Sequence, residues 1–150
     1  MRRAAAGFTL TELVMVMIIA GILSAFAIAR INTQSFDTEG FANRAAAMVR
    51  YAQKLAIAQR RTVFVVTTVG PPSHIKLCYA DATCATPVRE PPGTNAFAYD
   101  APSGIALSAA SFSFSALGKP TPGPVTITVT GDGTKTITIA AETGYVQYVP

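Results

Sequence analysis

Charge, histidine and cysteine are all scarce in this chain. Only 13% of its 150 residues are charged, with one histidine and two cysteines. Each shortage removes a class of function. His74 with Cys78 and Cys84 leaves a structural zinc site short of ligands. The two cysteines also lack the Cys-x-x-Cys spacing of thiol redox centres. No Gly-x-Ser-x-Gly elbow, P-loop or dinucleotide glycine motif occurs. A serine hydrolase needs a nucleophile, a base and an orienter brought together, and nothing in the sequence groups them. His74 follows Pro71-Pro72, where turn polarity accounts for it. The expectation is therefore a non-enzyme with no catalytic residue, cofactor, metal or small-molecule substrate. The formal charge of +4 is also too small to argue for nucleic acid.

What the chain does contain is apolar residues, 50% of the total, which excludes a disordered polymer. The length suits one domain with an extra element. All ten prolines lie beyond residue 70, so the C-terminal half should be rich in turns. At the other end, Met1-Arg2-Arg3 precedes a nearly continuous apolar segment, Phe8–Ala29, uncharged from Leu13 to Ala29 between Glu12 and Arg30. As a helix the segment would be about 33 Å long, matching a bilayer core. The preceding arginines put the N-terminus in the cytoplasm and the rest across the membrane. A cleaved secretory signal fits this pattern, with Ala27-Ile28-Ala29 as a small-x-small cleavage site. A plain signal anchor fits too. Neither explains Glu12, because a charge at the centre of a membrane helix costs roughly 2.5–3.5 kcal/mol, and less near its end.

The run Gly7-Phe8-Thr9-Leu10-Thr11-Glu12-Leu13, after basic residues and before an apolar helix, resembles the class III signal of type IV prepilins and pseudopilins. The resemblance implies that a membrane-embedded prepilin peptidase cuts after Gly7 and methylates the new amine of Phe8. The apolar segment is then retained as filament core, and Glu12 neutralises the N-terminal amine of a neighbouring subunit. In lipid such a pair costs far less than either charge alone. Loss of residues 1–7 takes Arg2 and Arg3 and no acid, leaving a net charge of +2. The implied partners are the peptidase, other pilin or pseudopilin subunits and the bacterial inner membrane, crossed once with a periplasmic head before assembly into a pilus or pseudopilus. Many relatives carry a proline where this chain has Ala29, so no built-in helix break is expected there.

Residues 31–40 read as a polar linker broken by Gly40, with Asp37 and Thr38 as N-caps for a second helix. Phe41, Ala45, Met48, Ala52, Leu55 and Ala56 then recur at helical spacing, predicting an amphipathic helix to about Arg61 that packs on a sheet. Arg50, Lys54 and Arg61 make a loose basic stripe, read as a solvated face or a subunit contact, with an anionic partner as the alternative. From Thr62 the period becomes two. Thr62–Val69 and Ile75–Tyr79 suggest a hairpin around Gly70-Pro71-Pro72-Ser73, and Ser111–Leu117 a strand. Val125–Thr130 and Lys135–Ala140 flank Gly131-Asp132-Gly133-Thr134 as the strongest hairpin, with a last strand at Gly144–Val149. Residues 85–104 read as a long irregular loop.

The expectation is an α+β fold, a long N-terminal helix packed on an antiparallel β-sheet head. Its divisions are a leader at 1–7, a transmembrane and filament-core helix at 8–30, a linker and amphipathic helix at 31–61, and the head at 62–150. This order resembles the H-type (GspH/FimT-like) pseudopilin domain. The run Tyr51-Ala52-Gln53-Lys54-Leu55-Ala56-Ile57-Ala58-Gln59-Arg60-Arg61 looks most like that of minor pilins of the mannose-sensitive haemagglutinin (MSHA) pilus system. Some FimT-like relatives bind DNA through arginines in a Gly-Arg-x-Arg motif. The matching stretch here, Gly144-Tyr145-Val146-Gln147, has none, so DNA uptake is not expected. In an extracytoplasmic head, Cys78 and Cys84 are close enough in sequence to pair as a disulfide. Two roles stand side by side: a structural, assembly-priming minor subunit, or a surface- or cargo-binding module at a filament tip, with Phe97 and Tyr99 in the 85–104 loop as the place to look.

Overall fold

The computed structural model describes residues 7–28, 33–80 and 83–149. The chain divides into two compact units at Thr33/Gln34. The first contains helix α1, Leu10–Ile28. Thr9 caps it: its Oγ1 accepts the Glu12 N–H at 3.3 Å, and its carbonyl accepts the Leu13 N–H at 3.1 Å. Thr9-Leu10-Thr11-Glu12 is thus the pattern of a capping box, and the carboxylate lies in the first turn, where the helix dipole favours it. Leu13 to Ile19 are consecutive apolar residues, so α1 is apolar on every side, and all of them are exposed. Such a helix is stable only where something else covers it. The expected segment 8–30 runs past the described residues: Ala29 and Arg30 lie outside them, as do leader residues 1–6.

The second unit opens with helix α2, Thr33–Gln59. It starts well before the expected position, and residues 33–40 are helical rather than a linker. Asp37 and Thr38 are interior residues of α2, not caps. Gly40 costs about 1 kcal/mol in a helix, but burial of Thr38, Phe41 and Ala42 on the adjacent face outweighs that. The Thr38 hydroxyl donates to the Gln34 carbonyl at 2.7 Å, so it does not compete with the helix. The helix ends at Arg60, in the left-handed region with φ 50°, as the Arg61 N–H reaches the Ala56 carbonyl at 3.2 Å.

Among the described residues nine strands come after it: β1 Val63–Thr68, β2 His74–Cys78, β3 Ala98–Asp100, β4 Ala106–Leu107, β5 Ala110–Phe114, β6 Pro120–Thr121, β7 Val125–Thr130, β8 Thr134–Ile139 and β9 Val146–Val149. They form two sheets, ordered β3-β2-β1-β5-β6 and β4-β7-β8-β9, with every recorded pairing antiparallel. The fold is α+β, as expected. Both expected hairpins form, with Val65 opposite Leu77 and Ile127 opposite Ile137. The stretch 85–104 is more ordered than a structureless loop. Val88 and Phe97 bond to the β2 residue Leu77 through backbone groups, and β3 pairs with β2. That order comes from the partner strand, since the prolines in this stretch hide any alternation.

The core lies between α2 and the inward faces of both sheets. Ala42, Ala45, Ala46, Ala52 and Ala56 are buried beside Phe41, Met48 and Val49 on the helix, against Val65, Leu77, Phe112, Phe114, Ile127 and Ile137. The alanines let the helix approach closely. All these core residues fall in the second unit, which therefore carries its own folding determinants. Polar contacts fix the helix against β8 and β9. Glu39 pairs with Lys135 at 2.8 Å and accepts the Tyr148 hydroxyl at 2.6 Å. The Lys135 hydrogen bond, with that from Tyr148, holds the Glu39 carboxyl below its usual value. Burial, with the adjacent carboxylate, pushes the Tyr148 phenol up to about 12.

Phe112 packs edge-to-face on Phe114 at 5.5 Å with both rings buried. Phe112→Ala should cost the head about 3–5 kcal/mol in urea unfolding. The Glu39 contribution should be present above the ordinary 4.5 and fade as pH falls through the lowered folded value. The Tyr148 contribution should be complete below 10.0 and fade as pH rises towards 12. Melting temperature against pH should therefore fall at both extremes, with Glu39→Gln flattening the acid limb and Tyr148→Phe the alkaline one.

Candidate functional site

The residues expected to carry processing lie together at the start of α1. Gly7 and Phe8 precede the helix in non-helical backbone, and both are exposed, Phe8 by 80%. A side chain built at Gly7 would meet nothing within 4 Å. Within this chain the glycine is not sterically required, so any requirement for it belongs to whatever recognises the segment. Glu12 stands one turn in, exposed and at the third helical position. Its backbone N–H is the group that Thr9 caps. The Thr-x-x-Glu pattern was present in the sequence as the signal for that cap.

Helix α1 itself has 19 residues and is about 28 Å long, just under the roughly 30 Å of a hydrocarbon core. Among the described residues no helix is long and apolar enough to cross a membrane. Side chains of α1 are described only as far as Ala25, so the expected span of 8–30 extends beyond what that statement covers. Ser24 is accommodated within the helix by donating to the Ala20 carbonyl at 2.7 Å.

In the head, Cys78 and Cys84 are joined as a disulfide with Cα atoms 5.1 Å apart, inside the usual range. It closes the turn after β2, where Cys84 adopts φ 66°. In the chain-entropy model so short a loop stabilises by roughly 2 kcal/mol. His74 opens β2, half-buried and opposite Asp100. No group of three or more His, Cys, Asp or Glu that could hold a metal is found among the described residues.

The stretch Gly144–Gln147 is shaped by α2. Gln53 donates to the Gly118 carbonyl at 3.0 Å and to the Thr143 carbonyl at 2.9 Å. One side chain thereby ties the turn after β5 to the turn before β9. Gly118 and Gly144 have φ of 80° and 66°, and a Cβ on Gly144 would collide with the Gly118 carbonyl oxygen. Arg50 adds a bond to the Val146 carbonyl at 3.3 Å. The expected basic stripe is therefore divided. Arg50 reaches β9, Arg61 lies 4.0 Å over the Tyr79 ring, and Lys54 is exposed. Nothing local in the sequence announces Gln53 as a clamp, because its acceptors are backbone carbonyls far along the chain.

Phe97 and Tyr99 do come together. Phe97 packs edge-on against Tyr51 of α2 at 5.2 Å and against Tyr99 at 5.8 Å. The Tyr99 hydroxyl donates to Glu90 at 2.6 Å, and that hydrogen bond, with partial desolvation, raises the phenol above its ordinary value.

Residues 2–28 match the prokaryotic N-terminal methylation motif. A comparison with curated proteins gave no match. Among solved structures, the chain is similar to the type IV minor pilin FimU of Pseudomonas aeruginosa, with TM-score 0.62 and 20% identity over 79% of this chain and 92% of that one. A second crystal form of FimU gives TM-score 0.59 at 20% identity over 75% and 92%. The minor pseudopilin EpsH of the type 2 secretion system of Vibrio cholerae gives TM-score 0.54 at 13% identity over 79% and 97%. Identities this low establish the shared fold, and the motif match is confined to residues 2–28. The chain thus carries the methylation motif at its N-terminus and shares the fold of these minor pilin and pseudopilin structures.

Proposed function

We propose that this chain is a minor pilin or pseudopilin that serves as a structural, assembly-priming subunit. The observation that carries the reading is α1, capped by Thr9, apolar on every side, and preceded by an exposed Gly7–Phe8 segment. Prepilin peptidase cuts after Gly7 and methylates Phe8. The helix, held in the bacterial inner membrane with the N-terminus cytoplasmic and the head periplasmic, then passes into a bundle of like helices. Glu12 there neutralises the amine of a neighbouring Phe8. The role needs no catalysis and no cofactor, and the neighbouring folds, all of pilin type, support that. The likeness to FimU and the Tyr51–Arg61 run favour a pilus, and the run is of the kind that suggests the MSHA type. The likeness to EpsH keeps a type 2 secretion pseudopilus as the second assignment. DNA uptake is disfavoured, since Gly144–Gln147 carries no arginine and Val146 is buried.

Because Gly7 has open space around it, Gly7→Leu should leave folding intact, yet the precursor should remain uncut on immunoblots. Glu12→Gln keeps a residue suited to the capping box while removing the charge. It should be processed normally but enter filaments at least about tenfold less, since an unpaired ammonium in lipid costs more than the 1.4 kcal/mol of one decade. Normal incorporation of Glu12→Gln into sheared filaments would remove charge pairing from the account.

A further inference from the structure

Three adjoining cavities run along one edge of α2. The first, of about 430 Å³, is lined by Arg44, Met48, Tyr51, Glu90, Phe97 and Tyr99 among others. A second, of about 490 Å³, meets it at Tyr51 and continues past Gln59, Arg61, Tyr79, Pro87 and Arg89. A smaller one, of about 180 Å³, shares Arg44 and Tyr99 with the first. On the helix side, Arg44, Met48, Tyr51, Leu55 and Gln59 recur every three or four residues, so they form one stripe. From Arg44 to Gln59 the stripe is about 23 Å long.

The lining has two chemical components. Tyr51, Phe97 and Tyr99 are half-buried and held edge-to-face, so each ring packs into the head while part of it lines the groove. Around them stand three exposed arginines, each on a different part of the wall. Arg61 lies over the Tyr79 ring at 4.0 Å, a cation–π contact that restrains the guanidinium. Arg89 is held by donating to the Thr94 carbonyl at 2.6 Å. Among the described lining residues the two larger cavities hold one carboxylate, Glu90, which accepts the Tyr99 hydroxyl, and the smaller cavity adds Asp37 and Asp100 beside Arg44. The far wall includes Pro87 and Pro91, which have no N–H to offer an extended peptide. The groove is thus apolar along Tyr51 and Phe97 and cationic at the end that holds Arg61 and Arg89, where both guanidinium groups are restrained.

We propose that this groove binds a linear acidic polysaccharide, seating the apolar faces of sugar rings on Tyr51 and Phe97 and uronate carboxylates on Arg61 and Arg89. Guanidinium forks match carboxylates in geometry as well as charge. Half-buried rings set edge-to-face give short apolar strips, which suit pyranose C–H faces better than stacked nucleobases, and the low net charge of the head adds no backbone-tracking field.

The test uses the full chain in detergent micelles and isothermal titration with oligogalacturonate, a linear sugar acid, at low salt. Its methyl ester, with the same rings and no charge, is the control. Saturable binding of the acid, at least about tenfold tighter than the ester, is expected from two or more guanidinium–carboxylate pairs. The surface double variant Arg61→Gln/Arg89→Gln should lose about that tenfold for the acid and leave the ester unchanged. Tyr51→Leu, which keeps apolar volume, should weaken both ligands. The proposal is overturned by absence of saturable binding, by equal affinity in the double variant, or by tighter binding of oligothymidylate or polyglutamate of matched charge.

Discussion

An α-helix with no polar face cannot remain in water, and the proposed role of this protein depends on that constraint. Leu10, Leu13, Val14, Met15, Val16, Met17, Ile18, Ile19, Ile22 and Leu23 of α1 are all exposed. Each fully buried side chain of this kind is worth roughly 1.5–3 kcal/mol. In the proposed role lipid covers such a surface before assembly and other helices cover it afterwards, so transfer between the two environments has little hydrophobic cost. A carboxylate in the first turn is the exception. It is tolerable only near an interface or beside a cation, and in the proposed role that cation is a free amine at Phe8.

The head is built so that it does not depend on α1. Its core residues lie in the second unit, where α2 forms a wall shared by both sheets. Small residues on the buried face bring that helix close, and polar side chains then fix its position. Glu39 binds Lys135 and Tyr148, Arg50 binds the Val146 carbonyl, and Gln53 binds the carbonyls of Gly118 and Thr143. The consequence is a rigid domain joined to an apolar stem. Its remaining exposed features, among them the arginine- and aromatic-lined groove, are then available for contacts with other molecules.

Much of this architecture was legible in the sequence where a local period carries the signal. Val125–Thr130 and Thr134–Ile139 alternate around Gly131-Asp132-Gly133, and the hairpin formed with almost the expected bounds. The buried face of α2 was legible for the same reason, from the spacing of Phe41, Ala45, Met48, Ala52 and Ala56. Its beginning was not. A glycine and several polar residues look like a linker until the Gly131–Asp132 turn packs on Thr38. Strands β3, β4 and β6 were missed because two or three residues carry no period, and their neighbours define them. Gln53 was missed because its partners, Gly118 and Thr143, are distant in sequence. At the candidate site, Gly7, Phe8 and Glu12 were named from the resemblance, and the structure adds the Thr9 cap that holds Glu12 in the first turn.

The central claim is that α1 is kept as a processed stem rather than discarded as a signal. Mass spectrometry of the N-terminal peptide of the membrane-extracted protein tests this most directly. The account predicts a mature chain that begins at Phe8 with a methylated amine, and a chain that begins at Arg30 would contradict it.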